Sequence, residues 1–455
     1  MLSILEDLIN LFKNKQLNSE GNEFSFIDLI RKKKIDEAIG MMRGYDDDVD
    51  LALTEYFPDK HKVNNRPNKI RKKGTPYISA KLPRKRQQYI NEVALFFLLN
   101  NPIRWSKKAG SDEAYNAFVK FLEDTHFNSK MRELKRIAGA ETESAKLYHI
   151  YRDTDNRPSC RVVMLARSTG YKLRHMIDQY GKMMAFAYGY TTKLNGRPQS
   201  HWDIQTKDFI FNCTRKRFGW EVEVFENPTG KINIIYAHQK KEWDGVQKRC
   251  DREEDVDSRQ ADNNNYFSDP IAKASADVIK SMADPQAIGK FIQLSGKDSH
   301  FEYINPPQVS DGWRTEKDDL KSSILNDSFT PDFSYEGIKG YGTLTGAALR
   351  NALTIGYIKR NLNIEVYEEL VAREKNVILA VLKIMRPELD FDTLDVVFSF
   401  TDPFSEDKQT LWNTISGAKS SGIMSTETAV SLLSLTTDNE LEVERIRKGE
   451  EKVCR

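Results

Sequence analysis

Residues 329–353 read FTPDFSYEGIKGYGTLTGAALRNAL. The stretch opens on a turn at Pro331 and carries the aromatics Phe329, Phe333, Tyr335 and Tyr341. It passes Gly337, Gly340, Gly342 and Gly346 and then becomes helical. The chain runs from Thr345 to Met385 without a proline until Pro387 stops it. A straight helix of that run spans about 60 Å at 1.5 Å per residue. A small enzyme has little use for such a helix, or for a glycine-rich aromatic loop hung in front of it. The four glycines allow backbone shapes that other residues resist.

Working outward, the chain has 455 residues, enough for several domains or one large composite. Hydrophobic residues make up 39% and charged residues 30%, a mix that gives modest cores and much polar surface. No apolar run approaches the roughly 20 residues that cross a bilayer; the best is Val93–Leu99. The amphipathic start MLSILEDLINLFKNK carries Glu6 and Asp7 and is not read as a signal peptide. Cys160, Cys213, Cys250 and Cys454 have no C-x-x-C spacing, so reduced thiols are expected. The seven histidines form no H-x-x-x-H pair. There is no G-x-x-x-x-G-K-[ST] phosphate loop and no G-x-S-x-G elbow. Any ATP-driven step therefore needs a motor on another chain, and no cofactor is expected.

The net charge of +2 hides a sharp local asymmetry. Between Lys60 and Asn91 there is no acidic residue. Lys69, Arg71, Lys72, Lys73, Arg84, Lys85 and Arg86 are among the basic ones. Pro67, Gly74, Pro76 and Pro83 make most of this stretch an extended arm. It suits a nucleic-acid backbone, an acidic partner surface, or a solvated loop against a neighbouring chain.

After the arm, RQQYINEVALFFLLNNPIRW reads as a buried helix ending near NNP. Tyr115, Phe118, Phe121 and Leu122 give the next helix a core face. Residues 146–240 read as a β-rich layer, with WEVEVFENPTGKINIIYAH as a hairpin closed at NPTG. The stretch QKRCDREEDVDSRQADNNNYFSDP reads as a polar loop holding Asp251, Glu253, Glu254, Asp255 and Asp257. SDPIAKASADVIKSMAD reads as a helix with Ser268 as N-cap. A strand–turn–strand follows, and then a helix with Trp313, Leu320 and Ile324. DTLDVVFSFTDP is a strand that rejoins a sheet, and the tail holds three short helices.

This order of pieces resembles the portal protein (head-to-tail connector) family of tailed, siphophage-type bacteriophages. The resemblance rests on a collinear set: LLNNPIRW; KINIIYAHQKKEWDGVQ with DSRQADNNNYFSDP; FEYINPP; SILNDSFTPDFSYE with TLTGAALRNAL; and FSFTDPFSEDKQTLWNTISGAKSSGIMSTETAVSLL. It covers roughly residues 90–447.

The resemblance implies an α+β portal fold. Its wing would be residues 1–267, with the basic arm at 60–91 and the β-rich part at 146–240. Stem helix 1 would be 268–284, a small clip 285–308 and stem helix 2 residues 309–327. The tunnel loop would be 328–344, the long radial helix and returning strand 345–404, and a helical crown 405–455. It further implies a homo-oligomeric ring of about twelve copies at one capsid vertex of the virion, assembled in the host cytoplasm, with no membrane and no catalysis. Double-stranded DNA would pass through the ring. A terminase packaging motor, a head-tail adaptor, and the major capsid and scaffolding proteins would be its partners.

On this reading Phe329, Asp332, Phe333, Tyr335, Glu336, Lys339 and Tyr341 face the DNA. Gly337, Gly340, Gly342 and Gly346 let the loop yield, and Glu316, Lys317, Asp319 and Lys321 line a charge-balanced channel. Two other readings stand beside it. A metal-dependent DNA-processing enzyme would use the carboxylates of 251–257. A DNA-binding regulator would use the basic arm.

Overall fold

A computed structural model describes residues 26–70, 76–194, 196–267, 272–274, 301–303, 310–339, 346–404, 408–433, 443 and 445–446. In chain order, α1 (described over 26–31), α2 (Ile35–Gly40) and α3 (Asp46–Tyr56) lead into the arm. The arm is more structured than its prolines suggest. Two 3-10 turns, Pro58–Lys60 and Lys62–Asn65, precede a short antiparallel pair, β1 (Lys69–Ile70) with β2 (Pro76–Tyr77).

Helix α4 (Arg86–Leu99) is apolar around most of its circumference and is correspondingly enclosed. Ile90, Val93, Ala94, Leu95, Phe97 and Leu98 are all buried. It stops at Asn100, two residues before Pro102. Strand β3 (Arg104–Ala109) leads to α5 (Asp112–Asp124), capped by Ser111 Oγ, which accepts from Ala114 N at 3.1 Å. Phe118 and Phe121 point inward from α5. Helix α6 (Phe127–Glu141) ends at Thr142 in the left-handed region.

Two sheets follow. The larger is an antiparallel meander, β6 (Lys172–Ile177), β7 (Met183–Leu194), β8 (Arg197–Thr206), β9 (Phe209–Lys216) and β10 (Gly219–Glu226). It closes over α1 and α2 around Phe26, Ile30, Ile204, Phe211 and Trp220. The smaller orders β11 (Ile234–His238), β4 (Glu143–Arg152) and β5 (Pro158–Leu165). The hairpin expected across Trp220–His238 does not form. Strand β10 pairs with β9, Trp220 opposite Arg215, and β11 pairs with β4, Ile234 opposite Leu147. NPTG is the crossover between the sheets. Asn227 fixes it by donating from Nδ2 to the carbonyls of Thr206 at 3.0 Å and Lys231 at 2.6 Å. Alternation of Trp220 inward with Glu221 and Glu223 outward is present, but alternation says which face is buried and not which strand is the neighbour.

The stretch after β11 departs most from expectation. Gln247–Phe267 is helix α7, not a polar loop. Ala272–Ala274 is strand β12, antiparallel to β13 (Phe301–Tyr303), so the helix expected over 268–284 does not hold at those residues. Residues 268–271, with the Ser268 cap, and 275–300, with most of the expected clip, lie outside the described residues. Helix α8 (Ser310–Asp327) runs antiparallel to α7 and pairs with it.

The long helix is also not continuous. Short α9 (Tyr335–Lys339) and α10 (Gly346–Ala352) precede α11 (Thr354–Met385), and the break falls at Leu353. Leu353 is fully buried beside Val93, Phe97 and Phe333, and turning it inward costs the helix one residue of regular geometry. The 32 residues of α11 span about 48 Å at 1.5 Å each. Tyr367, Val371, Ile378 and Val381 bury α11 against Leu98, Phe118, Met131 and Tyr148 in the main core. Strand β14 (Asp395–Ser399) returns to pair with β3. Asn100 and Asn101 then donate to the carbonyls of Pro403 and Asp402, joining the NNP and TDP segments. Helices α12 (Lys408–Ser420) and α13 (Thr426–Leu433) follow, with Ile415 and Ala429 buried. Ser425 Oγ caps α13, accepting from Thr428 N at 3.2 Å.

Candidate functional site

The α7–α8 pair is held by charge more than by apolar contact. Ile324 meets Trp243, Val246, Cys250 and Ile90 at one end. Beyond that, Arg249 pairs with Asp327, Arg252 with Glu316 at 2.8 Å, and Lys317 with Asp257 at 2.7 Å. Glu316 and Lys317 therefore face α7 and not open space. Lys321 turns instead to Asp332 at 2.6 Å. Asp319 is exposed, as are Arg314, Thr315 and Asp318.

On its other side α7 carries the arm. Lys62 pairs with Asp251 at 2.7 Å, Arg66 with Asp262 at 3.2 Å, and Lys69 with Asp262 at 3.7 Å. Arg86 grips Glu253 through Nε at 2.9 Å and Nη2 at 2.7 Å, the forked geometry that suits guanidinium and carboxylate. Arg84 reaches Glu253 at 3.3 Å and also pairs with Asp257. Backbone joins in: Ala80 N donates to Asp262 Oδ1 at 2.7 Å and Arg84 N to Glu254 Oε1 at 2.8 Å.

The arm and the acidic stretch thus complete one another within a single chain. Burial works against the Asp257 carboxylate, yet Arg84 and Lys317 hold it below the usual range. Lys85 is exposed, and Arg71, Lys72 and Lys73 lie outside the described residues. The carboxylates are not arranged for a metal: among the described residues no group of three or more His, Cys, Asp or Glu is placed to hold one. Among the described residues no helix is long and apolar enough to cross a membrane.

Past α8, the loop is anchored at its root. Ser328 is buried, and Phe329 takes a left-handed backbone with φ of 51°. The Tyr89 hydroxyl donates to the Pro331 carbonyl at 2.8 Å and accepts from Phe333 N at 2.7 Å. The Phe333 ring sits 5.9 Å from Phe96 and 6.1 Å from Phe97, in a cluster completed by Phe404. Asp332 accepts from Ser334 N at 2.9 Å and is held by Lys321 below the ordinary carboxylate range despite its burial. Phe333 and Asp332, both expected to face DNA, are instead the pins that fix the loop to the body.

Tyr335, 82% exposed, Lys339 and Phe329 point out. Gly337 is needed for closeness: a Cβ there would stand 2.3 Å from the Asp332 carbonyl oxygen. Gly346 opens α10. Gly340, Tyr341, Gly342 and the Glu336 side chain lie outside what is described. A cleft of about 440 Å³ separates α8, Pro331 and the α10–α11 break, lined in part by Asp318, Lys321, Ser322 and Ile355.

Behind the loop root lies a buried charge cluster that sequence reasoning missed. Glu242 takes Lys135 from α6 and Lys359 from α11, the latter at 3.1 Å. Burial alone would raise its pKa, but the two ammonium groups bring it to about 2. Lys359 Nζ also donates to the carbonyl of Ser328. No spacing in the chain signals these partners. The α7 ladder did leave a signal: Glu254, Ser258 and Asp262 recur four apart, the period of one helix face.

The described chain is a mixed α+β body that carries a charge-paired helix stalk and an aromatic loop pinned at its root. The family model described as "Phage portal protein, SPP1 Gp6-like" matches residues 27–453, and the chain belongs to that family. No curated protein sequence matches it. Among solved structures, a chain from the "Virion of native gene transfer agent (GTA) particle" is similar over 77% of this chain and 92% of its own. Its identity is 9% and its TM-score 0.40.

Proposed function

We propose that copies of this chain close a ring of about twelve at one capsid vertex, and that double-stranded DNA enters and leaves through its axis. The ring would dock a terminase motor and a head-tail adaptor, sit against the capsid and scaffolding proteins, and assemble in the host cytoplasm. The observation that carries this reading is the portal-family match over residues 27–453, nearly the whole chain.

The geometry refines which residues would meet DNA. With Glu316, Lys317 and Lys321 taken up by partners, the channel side of α8 would be Arg314, Thr315, Asp318 and Asp319. Those residues carry one cation against two carboxylates. Such a surface grips phosphate weakly, because affinity for DNA grows with each phosphate that Lys or Arg neutralises. Phe329, Tyr335 and Lys339 would reach the duplex from the loop.

The arm would not be the DNA-binding element, since Arg66, Lys69, Arg84 and Arg86 already face carboxylates of their own chain. Light scattering with negative-stain microscopy tests the ring, which predicts a particle of several hundred kilodaltons with a central hole. A monomer at working concentration would refute it. Deleting Tyr335–Thr343 should leave the ring and impair packaging or retention of DNA. Normally filled heads from that deletion would remove the loop from the channel.

A further inference from the structure

Helix α11 buries Gly356, Lys359, Asn363, Tyr367 and Leu370 along one face. About 100° around the helix from that face lie Ile358, Leu362 and Val366, four residues apart, with 44%, 52% and 41% of their surface open. Single exposed aliphatics are ordinary. Three in one line along a central helix form a stripe that solvent does not favour. Exposed Glu365 and Glu369, each three residues on from a stripe residue, edge this stripe.

The arm carries the opposite edge. Over residues 78–85 its backbone is fastened to α7 through Ala80 N, Leu82 N and Arg84 N. Ile78, 77% open, Lys81, Leu82, 44% open, and Lys85 face away from α7. Two aliphatics with two lysines match three aliphatics with two glutamates. A two-fold axis passing through either patch would set like charge on like. Joining these different patches gives a head-to-tail contact, which closes into a ring when the rotation closes.

We propose that the outer face of the arm of one copy, Ile78, Lys81, Leu82 and Lys85, docks on the Ile358–Leu362–Val366 stripe of the next. This rests on the ring reading above, and the test separates the two. Leu362 is replaced by a photoreactive benzoylphenylalanine in the full chain, and isotope-labelled and unlabelled copies are mixed during assembly. Light scattering on the same sample reports particle size. The expected product is a cross-link between copies to the peptide holding Ile78–Lys85.

A ring whose position 362 cross-links only to other peptides, or only within one copy, overturns the docking while leaving the ring. A particle that never exceeds a monomer overturns the ring itself, and the docking with it. Charge reversal gives a second readout. Glu365→Lys with Glu369→Lys should cut ring yield about tenfold by setting lysine against lysine. Adding Lys81→Glu and Lys85→Glu should restore it. Failure of that rescue, in copies that keep the wild-type melting temperature, also overturns the docking.

Discussion

Lys359 Nζ donates to the carbonyl oxygen of Ser328 at 2.9 Å. One residue belongs to the long helix α11 and the other to the first step of the loop after α8. The same ammonium donates to the Glu242 carbonyl at 2.8 Å and pairs with the Glu242 carboxylate at 3.1 Å. The central helix thus holds the loop root and the base of the stalk with one side chain.

Lys359→Met keeps the volume and removes the charge. It leaves Ser328 O without this donor and Glu242 with Lys135 as its remaining cation, beside the Gln239 amide. The expected loss is about 3 kcal/mol, at the low end for breaking a buried pair, because Lys135 remains. Denaturant unfolding followed by circular dichroism measures it. A change under half a kilocalorie would show that Lys359 does not bear on the fold.

Gly356 stands against Phe97 so closely that an added Cβ would lie 2.3 Å from the ring's Cζ. Gly356→Ala should therefore cost about 1–3 kcal/mol through overpacking, against the usual gain from replacing a helical glycine. Adding Phe97→Leu should recover part of the loss, which would identify the clash as the cause.

His61 offers both ring nitrogens to acceptors. Nδ1 lies 2.6 Å from Glu254 Oε1 and Nε2 lies 2.7 Å from the Glu55 carbonyl. Only the imidazolium donates to both. Burial opposes the charge, but Glu254 and the Glu55 carbonyl raise the histidine above its ordinary 6.5. Because the folded value is the higher, this stabilisation is complete below pH 6.5 and is lost as pH rises through the folded value. The melting temperature should fall as pH rises above 6.5, and His61→Asn should flatten that slope. A wild-type slope unchanged in His61→Asn would dismiss the pairing as the source.

Glu242 titrates with the opposite sign. Its folded value of about 2 lies below the ordinary 4.5, so its contribution is present above 4.5 and is lost as pH falls toward 2. Glu242→Gln should lower stability at neutral pH and narrow the gap to wild type in acid. Melts across that acid range measure it.

Phe333 and Tyr335 are two residues apart with different duties. Phe333→Ala removes a ring from the Phe96–Phe97–Phe404 cluster and should cost about 2 kcal/mol. Tyr335→Ala changes an exposed side chain and should stay within about half a kilocalorie. If Tyr335 meets the duplex, the packaging assay moves for Tyr335→Ala while its melting temperature does not.

Much of this architecture was legible in the chain. Unbroken apolar character marks α4, the spacing of Tyr115, Phe118, Phe121 and Leu122 marks α5, and the β-branched and aromatic runs mark the β-rich layer read over 146–240. Others needed the third dimension. A helix with few apolar residues, such as α7, shows no core periodicity, because carboxylates and not aliphatics form its inner face. The break at Leu353 follows from a pocket made by Val93, Phe97 and Phe333, which no local rule contains. Strand β10 found β9 and not β11, because pattern sets the face and leaves the neighbour open. In the loop, Phe333 and Tyr335 look alike as aromatics, and only the position of Phe96 and Phe97 separates anchor from tip.

The arm and α7 clasp each other across a long interval, Glu253 lying 167 positions after Arg86 and Asp262 lying 196 after Arg66. On the ribosome, the arm is made first and both sheets are made next, before the counter-charges of α7 emerge. For that interval each nascent chain carries a bare polycation in a cell crowded with nucleic acid. Once α7 is made, its carboxylates take up the cations of the arm, so folding itself silences the nascent chain's sharpest run of positive charge.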